Sequence, residues 1–521
     1  KLYSGSDPHK QKSPYFAPLL ASDFTHQPRS LVITAEYDPL RDEGEAYAAA
    51  LAGAGCKVVT RRMSDALHGY FSLPLRFAKV RQTYVWINDF LDGALCDETR
   101  RPPAWIRLDN AAKIFPPTSQ GADSGVFRLS CELAEPVKPD LLQQALEQAL
   151  AQYPHMQTVL RRGLFWYYLE QSSLHPQVVQ EQTPPCTPLY HGSHSLLFQL
   201  SYWRAKVNLE VFHVLADGSG AISFFQTILI HYLALYHPDA QIPIVPQSST
   251  YGRREDGFAR YYQPHRGQYT RQIPAFHLHG AHQPDNRLTV LEGVCDITEL
   301  LAVAHRHQTT LTVYLCAVLI QAIHGEMSQR DLVHPVVITV PVDLRNYFPT
   351  ETARNFFGTI RVSYNFQQRS GTFEDILSQV SSTFQQELTP ERLARRMNAL
   401  AALEHNLLIR PIPLVLKNLV LWIAGILSAR GETATLSNIG QFHLPEALRP
   451  YICGFGVFSG THCTELCTCS FEDSFHMGFT SVFLSPEVQR RFFKQLTEDG
   501  VQLEIRSNGF YPVDIPVEEI I

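Results

Sequence analysis

The sequence is poor in charge: Asp, Glu, Lys and Arg make up 18% of its 521 residues, and the formal balance is -6. A phosphate backbone selects for clustered Lys and Arg, so no nucleic-acid partner is expected. No Gly-x-Ser-x-Gly turn and no His-Gly-Gly-Gly loop occurs anywhere, so no serine is offered on a strained strand-to-helix elbow. Walker and dinucleotide glycine motifs are missing too. Cysteine is sparse and scattered, ten in all, without the regular spacing of a secreted disulfide framework, which predicts a reducing, cytoplasmic setting. No charged segment leads into an apolar core at the start, so no signal peptide is expected. The strongest apolar run, Leu414 to Leu427, is broken by Lys417 and Asn418 and falls short of the roughly 18 residues of a spanning helix. It predicts a buried or amphipathic helix, no transmembrane segment, and is compatible with peripheral membrane contact.

What is present is enough to build sizeable cores. Hydrophobic residues make up 45%, and a chain of 59.0 kDa exceeds one ordinary folding unit at about 150 residues per domain. Residues 1–95 alternate as strand 31–36, helix 43–52, strand 56–60 and helix 77–91, the pattern of a partial doubly wound parallel sheet. Residues 96–107, with Pro102-Pro103, read as a linker. From Leu108 the rhythm changes to an α/β sandwich of two lobes: residues 108–246, a polar connection over 247–285, and residues 286–521. Strands at 126–133, 196–202 and 206–212 and helices at 139–152 and 220–236 mark the first lobe. Helices at 297–305, 312–324 and 372–387 and strands at 336–340 and within 466–483 mark the second.

One string concentrates chemistry. Leu209-Glu-Val-Phe-His213-Val-Leu-Ala-Asp217-Gly218-Ser-Gly220 puts a histidine at the end of an apolar strand, before a glycine-rich turn into a helix. Imidazole, with an ordinary pKa of about 6.5, is neutral near pH 7 and able to accept a proton. Asp217 can curl back to orient the site or pair with a buried Arg, and Gly218 and Gly220 allow the turn its backbone angles.

His213-Val-Leu-Ala-Asp-Gly218 resembles the signature of the chloramphenicol acetyltransferase-like superfamily, which includes condensation domains, wax ester synthases and alcohol acetyltransferases. Four further strings occur in the matching order: Leu108-Asp-Asn-Ala-Ala-Lys-Ile-Phe, Arg162-Gly-Leu-Phe-Trp-Tyr-Tyr, Pro341-Val-Asp-Leu-Arg345 and Leu436-Ser-Asn-Ile-Gly440. Together they resemble a bacterial alcohol acetyltransferase-like family over about residues 105–510. The resemblance implies direct acyl transfer from acyl-CoA, as co-substrate rather than bound cofactor, to an alcohol or amine acceptor. His213 would be the general base and Asp217 structural, with Arg345 as its ionic partner. Ser437 and Asn438 are candidate oxyanion donors. As a bare pattern, Arg345 reads equally as a surface strand cap, and Ser437-Asn438-Ile-Gly440 as an ordinary turn. The alternatives are a condensation-type enzyme fed by a carrier protein, or a bifunctional parent whose hydrolase half acts as an esterase.

Near the start, Ala35-Glu-Tyr-Asp38 follows a strand, and His68-Gly69-Tyr comes after the next one. A carboxylate placed so can hold an imidazole in one tautomer. These residues, with Ser13-Pro-Tyr-Phe-Ala-Pro-Leu, resemble the acid and base corner of hormone-sensitive-lipase-like α/β-hydrolases over about residues 1–95. Lys1 opens in mid-pattern, so an upstream half carrying the nucleophile is expected in a longer parent, and the segment as it stands is expected to be inactive. His462, Cys463, Cys467 and Cys469 lack paired Cys-x-x-Cys spacing, which favours buried thiols over a metal site. Phe165-Trp-Tyr-Tyr168 reads as core ahead of an acceptor pocket.

Overall fold

The computed structural model describes residues 23–74, 77–91, 105–119, 123–192, 194–240, 256–263, 274–405 and 412–508, with Ser13, 17–21, Gly121 and Ile242. Two compact units divide the chain, Lys1–Ala104 and Trp105–Ile521.

In the first unit, Ser30–Tyr37 (β1) and Val58–Leu67 (β2) run parallel, linked by helix Arg41–Gly53 (α1) and followed by helix Ala78–Leu91 (α2). Parallel pairing needs such a crossover, because a tight turn cannot return the chain to the same end. β2 continues well past the predicted end at Thr60: Arg61 and Arg62 break the apolar pattern, yet their backbones still pair with Ile33 and Thr34. Two strands enclose little, and the buried cluster is Ala35, Met63 and Ala66. The predicted linker lies mostly outside the described residues, and its last three positions, Trp105–Arg107, are instead a strand (β3) of the second unit.

The second unit opens its first lobe with Val126–Leu133 (β4), helix Pro139–Gln152 (α3), Thr158–Arg162 (β5), Tyr167–Gln171 (β6), Val179–Gln180 (β7), Phe198–Trp203 (β8), Lys206–Phe212 (β9) and helix Gly218–Tyr236 (α4). The second lobe contributes Thr289–Asp296 (β10), helices Ile297–Arg306 (α5) and Leu311–His324 (α6), Val336–Asp343 (β11) and Phe357–Tyr364 (β12). Helices Phe373–Glu387 (α7), Pro390–His405 (α8) and Leu414–Ala429 (α9) come next. Ala434–Gln441 (β13), Ile452–Ser459 (β14), Thr464–Phe471 (β15), Ser474–Ser481 (β16), helix Glu487–Glu498 (α10) and Glu504–Ser507 (β17) complete it. The sheets are ordered β14-β4-β9-β8-β7, β12-β11-β13-β15-β16-β10-β17 and β3-β6-β5.

Burial explains the helices. Leu142, Ala145, Leu146 and Ala149 of α3 recur at helical spacing and are fully buried. α4 is long and apolar enough to cross a membrane by composition, but Phe224, Phe225, Ile228, Leu229 and Tyr232 all lie in the first lobe's core.

Two expectations need correction. The lobes do not divide cleanly at 247–285: β14, from the second lobe's sequence, pairs antiparallel with β4 from Ile452↔Leu133 to Ser459↔Phe127 and completes the first lobe's sheet. Nothing local in Ile-Cys-Gly-Phe-Gly-Val-Phe-Ser selects that neighbour. In the connection itself, residues 247–255 and 264–273 lie outside the described residues, and Phe258 is buried in the second lobe's core. The helix predicted at 414–427 as buried or amphipathic forms as α9 and is not the buried kind: Val415, Leu416, Leu419, Val420 and Leu427 are all more than half exposed.

Candidate active site

His213 sits where β9 ends. Its backbone N–H donates to Gly125 O at 2.9 Å and its carbonyl accepts from Asn355 Nδ2 at 2.8 Å, so both lobes hold the turn. The imidazole stacks on Phe115 at 4.8 Å between ring centres, with an interplanar angle of 5°, and lies 4.5 Å from Phe127 and 5.8 Å from Phe357. Burial among these rings holds its pKa below the ordinary histidine value, against the opposing pull of Asp217. Nδ1 is buried without a hydrogen-bond partner among the described residues. The ring lines a cavity of about 500 Å³ shared with Ser219, Asp343, Ser437, Asn438 and Glu465.

Asp217 is the N-cap of α4, accepting from Gly220 N at 3.0 Å. Its remaining capacity is taken by Arg345, whose Nη1 and Nη2 reach Oδ2 at 2.8 Å and Oδ1 at 3.1 Å, and by Phe356 N at 2.8 Å. Both carboxylate oxygens are thus occupied by donors. Arg345 also donates to Asp343 Oδ1 at 3.0 Å and to the carbonyls of Thr352 and Arg354. The resulting ion-pair network ties the first lobe's helix start to the end of β11.

Gly220 is required by close approach, since a Cβ there would come within 2.0 Å of Ala353 O. Gly220→Ala is therefore expected to lose about 1–3 kcal/mol or more through forced backbone shifts. An unchanged thermal midpoint would contradict that packing.

Ser437 and Asn438 lie on β13, not in a free turn, although the parallel register with β15 slips between Asn438 and Gly440, where Gly440 takes φ +86°. Asn438 is engaged, donating to Thr312 Oγ1 at 2.8 Å and accepting from Gly440 N at 3.0 Å. Ser437 lines the cavity. Gly218 sits beside Ile439 Cδ1, which a Cβ would meet at 3.0 Å.

Several residues around the site carry no catalytic signature in the sequence. Asn355 and Arg354 reach the buried Asp109, at 3.4 Å each. Desolvation pushes Asp109 up to about 6, with Arg354 opposing. Asp109 belongs to the opening Leu108-Asp-Asn string, whose order was informative while its role was not. Glu465 on β15 is pushed up to about 8, first by burial and then by Glu432 and Asp123. His462 pairs with Asp123 at 3.4 Å. Cys467 and Cys469 are buried thiols, and no group of three or more His, Cys, Asp or Glu able to hold a metal occurs among the described residues. The Phe165–Tyr168 cluster is core only in part: Tyr167 packs half-buried against the first lobe's core, while Phe165 is exposed and Trp166 lies under Lys417 Nζ at 3.4 Å.

In the first unit, His68 Nδ1 lies 2.9 Å from Asp38 Oδ1. The Leu40 N–H and then His68 hold the Asp38 carboxyl below its usual range. The acid and base of the hydrolase-like corner therefore meet as the spacing predicts.

Comparison with known proteins separates the same two parts. Residues 1–72 match the α/β-hydrolase fold family. An arylesterase of Saccharolobus solfataricus is 44% identical over 62 residues, 12% of this chain and 20% of that protein. Mouse (Mus musculus) arylacetamide deacetylase is 40% identical over 77 residues, 13% of this chain and 19% of that protein. The chain thus spans about a fifth of the length of these curated relatives. The larger part aligns with solved structures. F. graminearum TRI101 complexed with coenzyme A and deoxynivalenol has a TM-score of 0.54 at 12% identity, covering 77% of this chain and 99% of that one. Polyketide synthase associated protein 5 from Mycobacterium tuberculosis has a TM-score of 0.51 at 17% identity, with the same coverages of 77% and 99%. The chain thus joins a segment similar to the α/β-hydrolase fold family, residues 1–72, to a larger part that shares the two-lobed fold of these solved structures.

Proposed function

We propose that the second unit transfers an acyl group from acyl-CoA to an alcohol, with His213 as general base. The observation that carries the reading is the division of labour at the His motif: the imidazole faces a cavity of about 500 Å³, while Asp217 is saturated by Arg345, Gly220 and Phe356. His213 takes the hydroxyl proton as the acceptor oxygen attacks the thioester carbonyl. The tetrahedral intermediate then collapses, the C–S bond breaks, and the coenzyme A thiolate recovers the proton from the imidazolium. Ser437 is the favoured oxyanion donor, because the Asn438 amide already donates to Thr312. Asp38 and His68 have no Gly-x-Ser-x-Gly serine to activate within these 521 residues, and we assign them no hydrolysis. The test is release of free coenzyme A thiol across a panel of acyl-CoAs and alcohols. Acceptor-dependent release supports the reading, and release from no pair in the panel defeats it.

The pH dependence follows from the same burial. A lowered His213 pKa keeps the base neutral further into acid, so the acid limb of kcat/KM should fall below pH 6.5, the ordinary histidine value. Glu465, at about 8, is already protonated across that window. Asp109, at about 6, titrates within it, and its link to His213 runs through Asn355 to the backbone carbonyl, not to the ring. The limb should therefore persist in Asp109→Asn, and its disappearance there would assign it to the wrong group.

A further inference from the structure

Helix α9 is built inside out. Its two polar interior residues face the protein: Lys417 is buried, donates to Phe165 O at 3.2 Å and caps the Trp166 ring, while Asn418 Nδ2 donates to Tyr167 OH at 2.8 Å. Its apolar residues face outward, with Val415 62%, Leu419 51%, Val420 65%, Ile423 45% and Leu427 55% exposed. A helix facing water presents the opposite pattern. The apolar face continues onto neighbouring segments, through Leu164 at 73% and Ile114 at 40% exposure, joined to α9 by the hydrogen bond from Leu414 N to Leu164 O and by Gly425 against Thr118. A contiguous exposed apolar surface of this kind marks an interaction site.

Charge selects the partner. The three segments that build this face, 110–119, 158–169 and 412–431, contain no Asp or Glu, with Asp109, Glu170 and Glu432 just beyond their ends, and besides the inward-facing Lys417 they carry Lys113, Arg161, Arg162 and Arg430. Arg161 is paired with Glu170, while Arg162 and Arg430 are exposed. Exposed apolar side chains with a basic fringe are the chemistry of a helix lying in an anionic lipid interface. At about 1.5 Å per residue α9 reaches only about 24 Å, short of a roughly 30 Å hydrocarbon core, so it lies on the surface and does not span it.

The geometry points to α9 and its neighbours as a docking face for an anionic lipid surface. The face stands one short helix from the base: α9 packs against Phe115–Thr118, whose Phe115 ring stacks on His213. Docking would bring the cavity beside the phase in which apolar acceptors dissolve, a consequence that rests on the proposed acyl transfer; the docking itself does not.

Co-flotation reads docking without turnover. Wild-type protein is expected to float with vesicles of phosphatidylcholine mixed with phosphatidylglycerol, more than with phosphatidylcholine alone, and less as salt screens the basic fringe. Val420→Glu combined with Ile423→Glu should lower the bound fraction about tenfold, with thiol release on a water-soluble short-chain alcohol unchanged. Wild type remaining in the aqueous fraction, or the double variant floating equally well, overturns the proposal. So does a wild-type dimer that the double variant converts to monomer, since a second copy would then be what covers α9.

Discussion

Asp217→Asn is expected to destabilise the protein by about 3–5 kcal/mol, because it strands Arg345 in a site built around a carboxylate. The pair is largely enclosed, with Asp217 at 6% and Arg345 at 14% side-chain exposure. Asparagine offers one acceptor oxygen where the carboxylate serves Arg345, Gly220 N and Phe356 N. Its amide hydrogens must also face at least one of those donors, so a lost attraction becomes a repulsion. Asp343 remains near the guanidinium at 3.0 Å, but it sits on one side only. Against a total stability of about 5–15 kcal/mol, the loss should lower the thermal midpoint by about 3–6 °C for a unit of this length. A wild-type midpoint with abolished turnover would instead make Asp217 a proton carrier.

His213→Ala is expected to act in the opposite way, on rate more than on fold. The imidazole meets its proton as the transition state forms, so its removal should lower kcat by about 10²–10⁴, with little change in KM for acyl-CoA. Some stability is lost as well, since Phe115 and Phe127 pack directly on the ring. His213→Gln separates the two effects: it refills most of the volume without supplying a base of suitable pKa. Turnover restored by Gln would mean that shape, and not proton acceptance, is what position 213 provides.

The site was legible in the sequence where its chemistry is contiguous. His213, Asp217 and Gly220 lie within one strand-turn-helix, and the Pro341–Arg345 string held the partner of Asp217. The meeting of Asp38 with His68 was likewise readable, because both follow neighbouring parallel strands. Contributions from distant segments were not readable. Phe115 reaches the histidine ring, and Asn355 its carbonyl, only through the tertiary fold, and β14 reaches β4 across most of the second lobe's sequence. The apolar run at 414–427 predicted a helix, but such a run does not say which side is buried, and in α9 the lysine side is the inner one. Ser437-Asn438-Ile-Gly440 read as oxyanion donors or as an ordinary turn, whereas the string lies on β13, whose register with β15 slips between Asn438 and Gly440.

If His213 removes the acceptor proton during direct transfer from coenzyme A, thiol release and ester formation both depend on its imidazole. The measurement that tests it most directly follows thiol release and ester formation together, in wild type and in folded His213→Ala, with and without the alcohol. The account predicts one thiol per ester in wild type, release that depends on the alcohol, and a rate lowered by about 10²–10⁴ in the variant. A folded His213→Ala protein that forms ester at the wild-type rate would contradict it.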